Sequence, residues 1–304
     1  MSPLVSAIVP TRNRAERLPG ALSSALEQTL SDLEVIVVDD ASMDATPDVL
    51  AELAGRDARV RIFRNEEALG ASAARNIAIR AASGEFLAFL DDDDRWFPDK
   101  TEKQLEFLRA HPNVGAVTCF FESFDERVGK AFLHRGPTSY SPRALLWANF
   151  PGSILGVVRR SAFETTPTFD EELPTCTDWD YWVRCSRGGG VATMPESLSR
   201  VVFHGNSQSV FDDAQRAQGR ARFVAKHADE MSEDCRVYHA ARGRLISARD
   251  ESERLRLHVR FLVSLPMRVR RIVALETLSA RRGKRAGDPG RGLRTLLRLI
   301  EADP

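Results

Sequence analysis

Residues 86–100 read FLAFLDDDDRWFPDK. An apolar run of strand length ends in four adjacent aspartates, Asp91 to Asp94, and Pro98 follows as a helix opener. A short, wholly apolar run indicates a strand buried on both faces, as in a mainly parallel sheet flanked by helices. Four neighbouring anions repel one another unless something cationic sits among them. The stretch therefore predicts both an α/β sheet and a cation-requiring ligand at a strand's carboxyl end, where open α/β sheets bind their ligands.

The same punctuation repeats on either side. LVSAIVP (4–10) predicts a strand, and LPGALSSALEQ (18–28) a helix with Leu18, Leu22, Ala25 and Leu26 on one face. LEVIVVDD (33–40) is a second strand, Pro47 opens a helix after Asp44 and Thr46, and RVRIF (59–63) is a third strand. GASAARNIAIRAA (70–82) reads as a helix closed by Gly84, and DKTEKQLEFLRAH (99–111) as one opened by Pro98. After VGAVTCF (114–120) the pattern weakens, and the polar, Gly- and Pro-containing segment 122–142 suits a hairpin or mobile loop. A helix around RALLWAN (143–149), a strand ILGVVRR (154–160), a helix TDWDYWVRCSR (177–187) ended by Gly188 to Gly190, and a strand LSRVVFH (198–204) follow. Beyond about Val210 the chain reads as helical and Arg-rich. The predicted division is an α/β domain over 1–209 and an α-helical C-terminal appendage over 210–304.

With 304 residues and 43% hydrophobic content the chain can bury a substantial core. Its 43 basic and 43 acidic residues balance, which argues against a nucleic-acid binder. Locally the balance fails: from Met267 to Arg298 ten Lys/Arg face only Glu276 and Asp288. Arg there mixes with Leu, Val and Ile at helical spacing, so this stretch either lies on an anionic lipid surface or packs on the protein with its Arg solvated. The four cysteines show neither CxxC nor metal-ligand spacing, which predicts free thiols in a reducing compartment. No signal-like or membrane-spanning run is visible, so the expected location is cytoplasmic, with peripheral contact at the membrane's inner face as an option. Abundant Arg and Ala beside only five lysines hint at a high-GC bacterial source.

Strand-end positions carry Thr11, Arg12 and Asn13, then Asp39 and Asp40, then Asp91 to Asp94. Hard carboxylate oxygens select Mg²⁺ or Mn²⁺, and such an ion completes its shell with water and substrate phosphates, so a diphosphate is the natural ligand. The plainer reading of the run is an acidic turn in which Asp94 or Asp99 caps the next helix. Neither GxGxxG after the first strand nor a P-loop is present, so phosphate binding would fall to metal and Arg, with Arg75 suitably placed.

Taken together, SAIVPTRNRAERL, VIVVDDASMDAT, GASAARNIAI, FLAFLDDDDRWFPDKTEKQ and TDWDYWVRCSR, in this order and spacing, resemble the family 2 inverting glycosyltransferases of the GT-A (Rossmann-like) fold. The likeness runs from about Val5 to His204. It implies that Pro10, Thr11 and Asn13 lie in the loop beneath a nucleotide, that Asp40 hydrogen-bonds the base with Asp39 supporting that loop, and that Arg75 sits near base or diphosphate. It places the Asp-x-Asp motif on Asp91, Asp92 and Asp93. Asp93 is the leading ligand for Mn²⁺ or Mg²⁺, Asp91 and Asp92 contact metal or ribose, Asp94 caps or braces the next turn, and His204 completes the metal shell. The partners implied are a UDP-, GDP- or dTDP-sugar donor and a hydroxyl-bearing acceptor in a polysaccharide, glycolipid or natural product.

Such a transfer needs a carboxylate base within reach of the incoming hydroxyl. Asp178 matches the family's base, although Thr177 stands where Glu is frequent. Asp180 competes, yet two helical positions on it points about 200° away, so both cannot face one hydroxyl. Trp96 is a candidate wall of the donor site, whereas Trp179 and Trp182 read as core or pocket wall. Three other readings stay open from residues alone: a Mg²⁺-dependent phosphatase or phosphotransferase using an Asp at the end of FLAFLDDDD, a signalling receiver suggested by VIVVDDAS, and an inactive nucleotide-binding scaffold. The sequence specifies no oligomeric state.

Overall fold

The structure, a computed structural model, describes residues 2–152, 155–165, 168–204 and 213–246. Its first half runs β1 (Val5–Thr11), α1 (Leu18–Leu26), β2 (Leu33–Asp39), α2 (Thr46–Arg56), β3 (Val60–Arg64), α3 (Ala71–Ala81) and β4 (Phe86–Phe89). The second half adds β5 (Arg95–Trp96), α4 (Lys100–Ala110), β6 (Ala116–Asp125), β7 (Lys130–His134), α5 (Pro142–Trp147), β8 (Val157–Arg159), α6 (Arg160–Thr165), α7 (Thr177–Gly188), β9 (Val191–Phe203), α8 (Asp213–Lys226) and α9 (Glu233–Ile246).

The strands form one sheet in the order β3-β2-β1-β4-β8-β6-β9-β5, with β7 paired to β6. β1 is parallel to β2 and β4, and β2 is parallel to β3. From β1 the chain first builds outward to β2 and β3, then returns to add β4 on the other side. That reversal is a topological switch point, and it opens a crevice beyond the carboxyl ends of β1 and β4. The far half is mixed: β8 runs antiparallel to β4 and β6, β9 is parallel to β6, and β5 and β7 are antiparallel additions.

Both sheet faces are covered, which is why the strands read as unbroken apolar runs. Val5, Ala7 and Val9 pack with Leu18, Leu22, Leu105 and Leu108 of α1 and α4. Ile8, between them, faces the opposite layer with Ala74, Ala78 and Ile79 of α3. All of β1 is buried, and each fully buried Val or Ile contributes about 1.5–3 kcal/mol.

Several expectations are corrected. α4 begins two residues after Pro98 with Asp99 at its N-cap, and that side chain makes no capping bond. Asp94 does not cap α4 either; it accepts from the Val202 amide of β9 at 3.0 Å. Trp96 is 3% exposed within the α1/α4 core, with Lys100 Nζ 4.5 Å from its ring centroid, and it does not reach the cleft. β9 begins at Val191, ahead of the predicted strand, because pairing with β6 carries it through Pro195. The segment 122–142 does form a hairpin, β6–β7.

In the C-terminal region, α8 and α9 place Phe223, Met231, Cys235, Tyr238 and Ala241 in the same core as α5 and α7. This helical segment therefore shares the packing of the α/β domain. The basic stretch Met267–Arg298 lies outside the described residues. Among the described residues no helix is long and apolar enough to cross a membrane.

Candidate active site

An open cleft of about 810 Å³ lies at the switch point. Pro10 and Thr11 at the end of β1 and Arg12 and Arg14 from the loop after it line the cleft, as do Asp40, Arg75, all four residues of the acidic run, and Asp178. Asn13, Asp39 and His204 are not on that lining and act from behind it.

The floor is built by the loops after β1 and β2. Asn13 Oδ1 accepts from the Met43 amide and its own amide donates to Ser42 Oγ, both at 2.8 Å, which ties the two loops together. Asp39 is 1% exposed and accepts from the Ser42 amide at 3.0 Å and Arg64 Nη1 at 2.7 Å, which braces the loop after β2. Asp40 accepts from Asn65 Nδ2 and from the amides of Leu69 and Gly70, each at 2.8 Å. Gly70, at φ +93, is the N-cap of α3, and that left-handed backbone turns its amide toward Asp40. Asp40 thus holds the loop that presents α3 and Arg75.

The acidic run is neutralised piecemeal. Asp91 Oδ1 pairs with Arg75 Nη2. Asp92 Oδ1 lies 3.4 Å from Arg14 Nε, and Asp93 Oδ2 lies 4.0 Å from Arg14 Nη2 and 3.0 Å from His204 Nε2. Asp94 is 2% exposed. Like charges about 4 Å apart cost about 4 kcal/mol at an effective dielectric of 20, and Arg14 and Arg75 do not cancel the excess. Burial, then repulsion from Asp93, pushes the Asp92 carboxyl up to about 7. Burial, then Asp91 and Asp93, raises Asp94 well above the usual carboxylate range.

Asp93 and His204 fit a divalent ion by their chemistry. Asp93 Oδ2 and His204 Nε2, 3.0 Å apart, are spaced as neighbouring vertices of an octahedron with bonds of about 2.1 Å. Among the described residues no group of three or more His, Cys, Asp or Glu gathers to hold a metal. That sparse set suits Mg²⁺ or Mn²⁺, which take one or two protein ligands and complete their shell from phosphates and water. Arg75 Nε, buried without a hydrogen-bond partner among the described residues, is a further donor for an anion.

A second wall of the cleft is the start of α7. Asn76, next to Arg75, donates to Phe169 O at 2.9 Å and Glu171 Oε1 at 2.7 Å and accepts from the Phe169 amide at 2.7 Å, so α3 also fixes the segment leading to α7. Cys176 caps α7 at φ 65. It, Asn13 (φ 54) and Ala41 (φ 56) are the non-glycine residues at positive φ among the described residues. All three lie on the cleft's own loops, where strained backbone tends to gather.

Asp178 occupies the first turn of α7 and accepts from Asn149 Nδ2 at 2.9 Å. Burial raises its carboxyl above the ordinary value, against the lowering effect of the Trp179 amide, Asn149 and Arg75. Asp180, fully buried, points away to α8. It accepts from Arg184 Nε at 2.8 Å and pairs with Lys226 Nζ and His227 Nε2, both at 2.9 Å. Although burial opposes it, these partners hold Asp180 far below the usual range. Asp180 is thus a structural anion, and the carboxylate that α7 presents to the cleft is Asp178. Gly219 of α8 packs on the preceding turn so closely that a Cβ would lie 2.9 Å from Thr175 Cβ.

Sequence reasoning assigned no role to Arg14, Asn76 or Asn149. Arg14 had a signal in its neighbours, since TRNR places a second cation at the same strand end. Asn149 had none, being joined to Asp178 only through the fold.

Comparison with known proteins agrees with this architecture. The profile of Glycosyl transferase family 2 matches residues 6–165. The UDP-Glc:alpha-D-GlcNAc-diphosphoundecaprenol beta-1,3-glucosyltransferase WfgD of Escherichia coli is 42% identical over 105 residues, 34% of this chain and 41% of that protein. TarS 1-349 of S. aureus, solved with UDP-GlcNAc, superposes with a TM-score of 0.66 at 17% identity, covering 99% of this chain and 92% of the other. The mannosyltransferase PcManGT of Pyrobaculum calidifontis, solved with GDP-Man and Mn²⁺, gives 0.62 at 22% identity, covering 99% and 86%.

Proposed function

The chain belongs to Glycosyl transferase family 2 and is a glycosyltransferase, and from that premise we propose that it moves a sugar from a nucleoside-diphosphate donor to an acceptor hydroxyl by a metal-dependent, inverting displacement. The observation that carries this reading is the cleft's two-sided chemistry. Arg14, Arg75 and the acidic run, with His204 behind it, form one wall, and Asp178 stands on another.

On this reading the nucleotide lies over Pro10, Thr11 and the loop held by Asn13, Asp39 and Asp40, with Asp40 facing the base. Asp93 and His204 would hold Mn²⁺ or Mg²⁺, with Asp91 and Asp92 turned to ribose or the ion's outer shell. A bound divalent ion supplies electrostatic neutralisation of the leaving diphosphate. Arg75 and Arg14 add fixed positive charge at the same place, needing no reorganisation as charge develops. The acceptor oxygen attacks the anomeric carbon from the face opposite the diphosphate. Its proton passes to Asp178, the bond from anomeric carbon to phosphate oxygen breaks, and its electron pair leaves with the nucleoside diphosphate. A base so placed contributes about 10²–10⁴-fold in rate.

WfgD's named substrates support a sugar nucleotide as donor and a lipid-linked sugar as acceptor. The nucleotides in the TarS and PcManGT structures support either a uridine or a guanosine donor. Family membership sets aside the phosphotransfer and receiver alternatives, and the intact Asp-x-Asp run and Asp178 argue against an inactive scaffold.

The test is thermal melting with UDP, GDP, dTDP and their sugars, each with Mn²⁺, Mg²⁺ or chelator. A ligand held only by the native state raises the melting temperature, by an energy of about 2.7 kcal/mol at a hundredfold excess over Kd. A metal-dependent rise for one nucleotide is expected; no rise with any of them would overturn the donor assignment.

A further inference from the structure

We propose that Asn149 is a positioning residue for the transfer, holding Asp178 ionised and in one orientation; the inference rests on the reading of Asp178 as base. Asn149 lies in the turn after α5. Its Nδ2 donates to Asp178 Oδ2 at 2.9 Å and to Gly152 O at 2.8 Å. An ionised carboxylate and a backbone carbonyl can only accept, so the amide's nitrogen must face them and its orientation is determined by its partners.

The turn that carries Asn149 is itself held. The Gly152 amide donates to Asn149 O at 3.2 Å, closing residues 149–152. Gly152 takes φ +73, and a Cβ there would stand 3.3 Å from Phe121 Cε1, so glycine suits both the backbone and the space. Trp147 and Phe150, on either side, are 1% and 8% exposed in the core. Trp179, the residue after Asp178, donates its indole N–H to Leu145 O of α5 at 2.5 Å. Two ties therefore join the α5 segment to the first turn of α7, one apolar-side and one at the carboxylate itself.

A neutral donor suits this place. The charged and titratable groups facing the carboxylate are Arg75 of α3, Asp91 of the acidic run and Cys176 of its own turn, with Arg220 of α8 beyond Cys176. Arg75 and Asp91 are paired to each other, so little net charge reaches Asp178 to offset its burial. Donation from Asn149 favours the anion and leaves the proton-accepting task to the carboxylate alone, because an amide does not titrate. Holding one oxygen also sets the plane in which the other meets the incoming hydroxyl, the alignment on which proton transfer depends.

The experiment uses the full chain with the sugar nucleotide that stabilises it and Mn²⁺, water serving as acceptor, and follows nucleoside diphosphate release as kcat and KM against pH. Asn149→Ala, Asn149→Ser and Asp178→Asn are compared with the parent after melting temperature and nucleotide-induced stabilisation show each to be folded. Asn149→Ser keeps a turn-compatible residue whose hydroxyl cannot reach, which covers the case in which the alanine variant fails to fold. Expected for both Asn149 variants are a plateau kcat about tenfold lower, an acid limb displaced upward by about one pH unit, and an unchanged donor KM. An inactive Asp178→Asn beside Asn149 variants with the parent's pH profile and rate would overturn the positioning role alone. Full activity in Asp178→Asn would overturn the base reading, and the inference with it.

Discussion

The two walls of the cleft are built by opposite means. The donor wall crowds four consecutive carboxylates against Arg14, Arg75 and His204, so its charges are plural, mutually paired and still in surplus. The base wall presents one carboxylate, half-buried, held by the Asn149 side-chain amide and the Trp179 backbone amide, with its helical neighbour Asp180 turned away into a cage of Arg184, Lys226 and His227. On the proposed mechanism the contrast follows from two tasks. Binding a diphosphate and a divalent ion calls for several charges that rearrange when the ligand arrives. Accepting one proton calls for a single group whose affinity for it is finely set. Surplus charge marks the first wall, and isolation marks the second.

The largest effect should come from exchanging one residue on each wall. Asp178→Asn is expected to lower transfer by about 10²–10⁴-fold while leaving the metal-dependent, nucleotide-induced rise in melting temperature intact. Asp93→Asn should do the reverse in binding, weakening that stabilisation by about 10–100-fold in apparent affinity. Melting curves beside turnover separate the two. Equal loss of nucleotide binding in both variants would mean that the walls do not divide the work.

The same contrast governs what could be read from sequence. The donor wall was legible because parallel strands buried on both faces leave continuous apolar runs, and the residues just past them, Thr11, Asp40 and Asp91, must then meet at one sheet edge. Even there, the pairing of Asp93 with His204 spans 111 positions and needed the length of β9, whose first part Pro195 concealed. The base wall was legible only through Asp178 itself, and there through resemblance. Asn149 sits 29 positions away in a turn without a motif, and α8, which lines the cleft with Gln215, packs on the turn before α7 where a side chain is absent, at Gly219. Small residues at close approaches leave no charge or periodicity to notice.

Gly219 offers an intermediate test of how far the base wall depends on α8. A Cβ there would meet Thr175 Cβ at 2.9 Å and the Thr175 amide nitrogen at 3.0 Å, so backbone must shift and not merely a side-chain tip. Gly219→Val is expected to cost about 1–3 kcal/mol, a fall in melting temperature of about 2–4 °C per kcal/mol. Because the displaced turn carries Cys176 and leads into Asp178, transfer should fall further than donor binding. A variant that melts early yet turns over normally would reduce α8 to a buttress.

The smallest effect lies beneath the donor wall and should leave catalysis alone. Glu34 in β2 is 6% exposed. Its Oε1 accepts from Ser6 Oγ and Ser83 Oγ at 2.7 Å and the Ser83 amide at 2.8 Å, and Oε2 pairs with Arg61 Nη1 at 2.6 Å. It thereby ties β1 and β2 to the turn that closes α3, where Gly84 approaches Ser6 so nearly that a Cβ would lie 2.6 Å from its nitrogen. Burial alone would raise the carboxyl, but the hydrogen bonds from Ser6, Ser83 and Arg61 outweigh it and hold the pKa at about 2. A folded pKa below the unfolded value of about 4.3 means that the ionised group stabilises the fold fully above that value. The contribution then fades as the pH falls toward 2. Glu34→Gln should therefore be less stable than the parent at neutral pH, by on the order of 2 kcal/mol, and the two should converge in acid. A constant difference across the titration would assign the loss to packing, and altered nucleotide binding at neutral pH would show that the strands beneath the donor wall transmit strain to it.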